Sequence, residues 1–239
     1  HTILKAVVYA DGMEPSGVLT KDFNIIDPDD IVAVVSPTEF AVTADEGALG
    51  LPATLEAKNA LGDTVQAPVT WNTEGVTFSP YTSVQITGTL PGGYQVDAKV
   101  DVVNSDTIYL ISGGSQGNSS FFAAAKARLG NQLVNAVSDQ AFDGQWGYTG
   151  TIGTDIGYHT NAEDLYESGW WAYSNKSIDY MIHLDPGTYT VISGYREWWG
   201  ATRNMTFSAK DEDGTVLASQ NFTINNTTTA HQEKLEFTL

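Results

Sequence analysis

The chain has 239 residues, 41% of them hydrophobic, with 29 acidic against 11 basic side chains and a formal charge of −18. That length holds one large or two ordinary domains with cores of their own, and the apolar content excludes a disordered chain. The negative balance excludes nucleic acid and anionic lipid as partners, because both require a basic footprint, whereas neutral glycans do not.

Residues 1–26 contain two predicted strands, 2–9 and 18–25, joined by Asp11-Gly12-Met13-Glu14-Pro15-Ser16-Gly17. His1 leads straight into the strand-like Ile3-Leu4-Lys5-Ala6-Val7-Val8-Tyr9 with no signal peptide, which reads as a chain cut from a longer polypeptide. Two strands alone cannot bury a face, so this piece is expected to need cover from the next domain or from further sequence. The acidic Asp27-Pro28-Asp29-Asp30 then breaks the chain.

In the domain expected at 27–104, short β runs alternate with turns at regular spacing. The runs are 31–35, 39–43, 53–57, 68–71, 84–89 and 95–103, and the turns include Ser36-Pro37, Leu61-Gly62-Asp63 and Pro91-Gly92-Gly93. Strands at this spacing without helical periodicity predict a small antiparallel sandwich, with Trp71 filling its core. Residues 105–239 differ in texture. One short helix is predicted, capped by Ser119 or Ser120, running over 121–129 and stopped by Gly130. Strands are predicted at 177–184, 187–196, 203–209, 215–224 and 231–238. A long irregular stretch, 138–176, remains, and a loop of that length in a compact domain is expected to be functional. The fold class expected is therefore all-β, a small sandwich followed by a larger one that carries a single helix.

Five of the six tryptophans fall between 146 and 199: Trp146, the pair Trp170-Trp171 and the pair Trp198-Trp199. Tyr148, Tyr158, Tyr166, Tyr173 and Tyr195 are interleaved with them. Sugars present flat C–H faces rimmed by hydroxyls, so rings beside polar groups and glycines such as Gly169 suit a carbohydrate site. In an extended segment neighbouring side chains point to opposite faces, so each pair is expected to leave at least one ring outside the core. The residues expected to bind are Trp146, Tyr148, Trp170, Trp171, Tyr173, Trp198 and Trp199, with Trp146, Trp171, Tyr173 and Trp198 as the stacking rings and Asp155, Arg196 and Glu197 as polar contacts. Arg196 and Glu197 have a second reading as an ion pair fixing the loop, with Arg203 as a further partner. Glycoside hydrolysis needs two opposed carboxylates, and Asp143, Asp155, Asp164 and Glu167 are the candidates to face Glu197. No nucleophile elbow or zinc-helix motif accompanies them, so no catalytic residue is assigned. No cofactor is expected. Asp155, Glu163 and Asp164 form the one candidate structural calcium site, set against a solvated acidic loop.

Three stretches resemble known families. Ile3 through Tyr9 with Phe23-Asn24-Ile25 resembles the tail of the small β-domain that follows chitobiase-type glycoside hydrolase modules. Gly50-Leu51-Pro52-Ala53-Thr54-Leu55, Val69-Thr70-Trp71 and Ile86-Thr87-Gly88-Thr89-Leu90 resemble bacterial Ig-like domains of group 4, which implies a spacer. Asn59-Ala60-Leu61-Gly62-Asp63 departs from the shorter Asp-Gly turn of that family. Residues 107–239 resemble malectin-like or galactose-binding-like jelly-roll sandwiches appended to bacterial enzymes acting on arabinose- and galactose-containing glycans. The matching residues are an opening strand Ile108-Tyr109-Leu110-Ile111-Ser112-Gly113-Gly114, then Asn135 through Gln140, Trp146-Gly147-Tyr148, Gly187 through Val191, and Tyr195 through Trp199. Ser112 and Gly113 stand where that family often has Asp-Cys, so no role of that Asp carries over.

Together the resemblances imply a non-catalytic carbohydrate-binding and spacer region of a secreted or cell-surface bacterial glycoside hydrolase. It acts as a monomer on a neutral oligo- or polysaccharide and is not inserted in a membrane; its other partner is the parent enzyme's catalytic domain. The alternative expectation is a structural module that packs against that catalytic domain without binding sugar.

Overall fold

Runs in which aliphatic and polar residues alternate between Gly- and Pro-containing turns become strands throughout the chain, and the protein is an all-β sandwich protein with one short helix. The computed structural model describes residues 2–23, 25–114, 120–134, 139–159, 166 and 168–239. Two compact units divide it, His1–Ser105 and Asp106–Leu239.

The first unit opens with β1 (Thr2–Ala6) and β2 (Leu19–Phe23), an antiparallel hairpin. Its apolar residues Ile3, Leu4, Leu19 and Phe23 are all exposed. Next come β3 (Ile31–Val34), β4 (Glu39–Thr43), β5 (Thr54–Asn59), β6 (Thr64–Pro68), β7 (Thr70–Asn72), β8 (Thr82–Thr89) and β9 (Gln95–Val103). They form two sheets ordered β3-β5-β6 and β4-β9-β8-β7, with β4 parallel to β9 and every other pair antiparallel. Alternate residues supply the interior. Leu55 and Ala57 of β5 pack with Ile31, Ala67 and Leu90, while Val42, Ile86, Ala98, Val100 and Val102 form the second cluster. Phe40 and Trp71 pack against both clusters, edge to face with centroids 5.5 Å apart. The Trp71 indole N–H donates to the Pro52 carbonyl at 2.8 Å, which satisfies its one polar atom. The β5–β6 turn is held from inside, since Asn59 Oδ1 accepts from the N–H groups of Leu61 and Asp63.

The second unit contains α1 (Ser120–Leu129), with Phe121, Phe122 and Ala125 buried. Of the two predicted caps, Ser119 lies outside the described residues. Past the helix end, Lys126 Nζ donates to the carbonyls of Gly130 and Leu133 at 2.9 and 2.8 Å, a cation on C-terminal carbonyls. The strands are β10 (Trp146–Thr149), β11 (Ile156–His159), β12 (Gly169–Ala172), β13 (Asp179–Ile182), β14 (Thr188–Tyr195), β15 (Arg203–Lys210), β16 (Val216–Ile224) and β17 (His231–Thr238). Pairing is nested twice over: β10 with β13 around β11 with β12, then β14 with β17 around β15 with β16, all antiparallel. Tyr195 and His231 from the outer pair pack on Phe222 of the inner one, with centroids 4.6 and 5.6 Å away.

Two expectations are corrected here. The described residues of 138–176 are not irregular throughout, because they contain β10, β11 and β12. These strands are four residues long and rich in Trp, Tyr and Gly, so they lack the aliphatic alternation that marks the others. Conversely, the expected opening strand at 108–114 forms no ladder among the described residues; its Ile108 carbonyl instead accepts from the Val134 N–H at 2.8 Å.

Candidate functional site

The β11–β12 ladder is the centre of the aromatic segment. Its register sets Tyr158 opposite Trp170 and Gly157 opposite Trp171, so the adjacent indoles point to opposite sides. On one side, Trp170 lies 4.7 Å from Tyr148 and 5.9 Å from Tyr158 between ring centroids. Its indole N–H donates to Asp139 Oδ2 at 2.6 Å and to the Tyr180 hydroxyl at 2.8 Å, and that hydroxyl donates to the same carboxylate at 2.6 Å. The Gly114 and Gln140 N–H groups also donate to Asp139. Burial, then the Asp139 charge and hydrogen bond, push the Tyr180 phenol far above its ordinary value, so it stays a donor. This side is a satisfied polar network that fixes the ladder.

The other side carries Trp171 and the rings gathered on it, while Tyr158 on the first side is itself 47% exposed. Trp171 lies 4.5 Å from Tyr173 and 5.9 Å from Trp199, and Trp199 lies 5.5 Å from Trp198. His159 joins them, 4.9 Å from Trp198 and 6.4 Å from Trp199. Trp199 is 55% exposed and Tyr173 39%, whereas Trp171 and Trp198 are half-buried. Two glycines make the close packing possible. A Cβ on Gly157 would lie 2.3 Å from Cζ2 of Trp171, and one on Gly169 would lie 2.7 Å from Cη2 of Trp198. Gly169 therefore makes room for a ring of the protein itself, where the sequence suggested an approach to ligand. The Trp198 indole N–H is buried and has no hydrogen-bond partner among the described residues.

Glu197 is the fulcrum of the loop that presents Trp199. Its side chain is 1% exposed. Oε1 accepts from the backbone N–H groups of Trp199 and Ala201 at 2.8 and 3.3 Å, and Oε2 from Arg203 Nε at 2.5 Å. The Glu197 N–H donates in turn to the Thr228 carbonyl at 3.0 Å. Burial works to raise this carboxyl, but the Arg203 hydrogen bond and the two N–H donors outweigh it and hold it below its ordinary value. The Arg203 guanidinium also stands 5.7 Å from the Trp199 ring centroid. Beside the rings, Asp155 accepts from the Thr151 N–H and from Lys176 Nζ, each at 2.8 Å, and its carbonyl accepts from the Tyr173 N–H. Those hydrogen bonds, Lys176 first, hold the Asp155 carboxyl below its ordinary value.

The expected residues thus sort differently from the sequence reading. Trp146 is an interior ring, 5% exposed and 6.4 Å from Tyr109, because it occupies the inward position of β10. Tyr148 and Trp170 belong to the Asp139 network. Glu197 does not offer a free acceptor to a sugar; it pairs with Arg203 and pins the loop. Asp155 likewise has both oxygens engaged by the protein. Arg196 is half-buried with its Nε shielded from solvent, so that atom does not face a ligand. Trp198 and Trp199 do not alternate, because they sit in a bend and not in a strand, and both join the same cluster. Trp171, Tyr173, Trp198 and Trp199 come together. His159 was missed as a member, and only the strand register, which puts it beside Gly169, reveals it; Arg203, expected as a further partner in the ion pair, is the residue that pairs with Glu197.

Among the carboxylates considered for catalysis, Asp143 caps the turn into β10 through Gln145 and Trp146, while Asp164 and Glu167 lie outside the described residues. Among the described residues no cluster of three or more metal-ligating side chains occurs; Glu163 and Asp164 of the candidate calcium site fall outside them. No helix among them is long and apolar enough to cross a membrane. Fold and site define a class, an all-β chain whose C-terminal unit presents an exposed tryptophan from a loop beside an exposed tyrosine at the end of one ladder. Beyond that class, comparison with known proteins finds no matching family model, no matching curated protein and no matching solved structure.

Proposed function

We propose that the second unit binds a neutral saccharide on the cluster of Trp171, Tyr173, Trp198 and Trp199, and that the first unit serves as a spacer. The resemblances to appended modules support the wider setting, a non-catalytic region of a secreted bacterial glycoside hydrolase that tethers its enzyme to arabinose- or galactose-containing glycan. The observation that carries the reading is the exposure of Trp199, at 55%, on a loop held by the buried Glu197 carboxylate. An indole costs free energy to leave in water, and a rigid mount presents it with little entropy to lose on binding. A neutral ligand is favoured because the nearby cations are already matched, Arg203 by Glu197 and Lys176 by Asp155. Tethering raises the local concentration of substrate without any bond being cleaved here. Affinity is expected to be roughly micromolar to millimolar, since so open a site buries few ligand atoms. Affinity electrophoresis against arabinan, arabinogalactan, galactan, xylan and mucin tests the reading. Retardation by at least one polymer, lost in Trp199→Ala, is expected; no retardation by any would refute it and favour the structural alternative.

A further inference from the structure

The ring planes of the cluster carry information about the shape of what fits them. Trp171 and Trp199 meet at 77°, Trp198 and Trp199 at 88°, and Trp171 and Tyr173 at 54°. None of these three contacting pairs is parallel. A flat ribbon of sugars, as at the surface of crystalline cellulose or chitin, presents coplanar faces and is matched by coplanar rings. Rings at right angles instead form a corner, one wall stacking on a sugar face and the other touching its edge. Each wall is held by something other than a ligand. The Trp171 wall is seated on Gly157, and the Trp199 wall is fixed through the Trp199 N–H on Glu197.

Extent points the same way. Tyr173 and Trp199 lie 4.5 and 5.9 Å from the Trp171 centroid, so their own centroids are no further apart than the sum of those distances. One face of Trp199 is already shared with the Arg203 guanidinium.

Resting on the saccharide-binding reading above, we infer that this corner accepts one or two sugar rings at a chain end or side branch of a soluble, non-planar glycan, and does not adsorb flat crystalline polysaccharide. Arg203 has a place in such a site. One edge of its guanidinium is spent on Glu197, yet the side chain remains 46% exposed, which leaves donors for a sugar hydroxyl at the rim of the corner.

The test is a chain-length series on the intact chain. Galactose, galactobiose and galactotetraose, with the matching arabinose series, are titrated by calorimetry, and microcrystalline cellulose and chitin are used in sedimentation assays. Expected is an affinity that stops rising at the disaccharide, no adsorption to either solid, and a loss of about ten-fold or more in Trp199→Ala. Affinity that keeps rising to the tetrasaccharide, or Trp199-dependent adsorption to cellulose or chitin, overturns the corner while leaving saccharide binding intact. Binding to none of the soluble sugars or solids overturns the corner, and together with no retardation by any polymer in electrophoresis it overturns saccharide binding as well. Trp199→Tyr serves as the second variant, because it keeps an aromatic wall on the same loop; retained binding there separates loss of the ring from damage to the loop.

Discussion

Replacing Glu197 by Gln tests how the loop bearing Trp199 is built. The substitution keeps the size of the side chain but removes its charge and turns one oxygen into an NH2 group. Oε2 now accepts from Arg203 Nε and Oε1 from the Trp199 and Ala201 N–H groups, so an amide in either orientation sets donor against donor. Hydrogen bonds to a charged partner contribute about 1.5–3 kcal/mol each, against about 1 kcal/mol for neutral ones. The Arg203 side is 46% exposed and is discounted for solvent screening, which leaves most of the effect with the two backbone donors. The expected cost is about 2 kcal/mol of stability in the second unit. Urea unfolding followed by tryptophan emission reads it well, because five of the six tryptophans lie between 146 and 199. A red shift in native emission should accompany the loss as Trp199 moves further into water. A midpoint change worth less than about 0.5 kcal/mol, the range of ordinary surface substitutions, with unchanged emission, would refute the loop account.

Acid should act on the same group. The folded-state carboxyl of Glu197 lies below its ordinary value of 4.5, so its stabilisation is complete above that pH and is lost as pH falls through the lower folded value. A pH series of the same unfolding curves should show this loss, and Glu197→Gln should abolish that component. Gly157→Ala should force the Trp171 ring aside and cost about 1–3 kcal/mol, with altered near-UV circular dichroism, because the new methyl would fall 2.3 Å from Cζ2. In the first unit, Leu55→Ala empties a site that is 2% exposed and should cost about 2–5 kcal/mol, measured by urea unfolding.

Most strands were legible because aliphatic alternation and turn residues agree with the pairing. The run 95–103 became β9 with Ala98, Val100 and Val102 inward, and the last strand alternates as expected. The short ladders of the aromatic segment were not, since Gly147, Gly157 and Gly169 occupy positions where an aliphatic residue would have signalled a strand. Within the site, the opposed pointing of Trp170 and Trp171 followed from period-two geometry. The same rule failed for Trp198 and Trp199 because the chain bends there around Glu197. Sequence composition marked Glu197 as polar and near the rings, but burial and three donors decide its task, and neither is visible without the fold.

The most direct measurement is a titration of the labelled chain with galactobiose and arabinobiose, followed through indole and backbone N–H resonances. Shifts concentrated on Trp171, Tyr173, Trp198 and Trp199, and saturating with one affinity, are the predicted result. Saturable shifts centred elsewhere, such as the exposed Asn204 and Thr206 face of β15, with the tryptophan indoles unmoved, would contradict it.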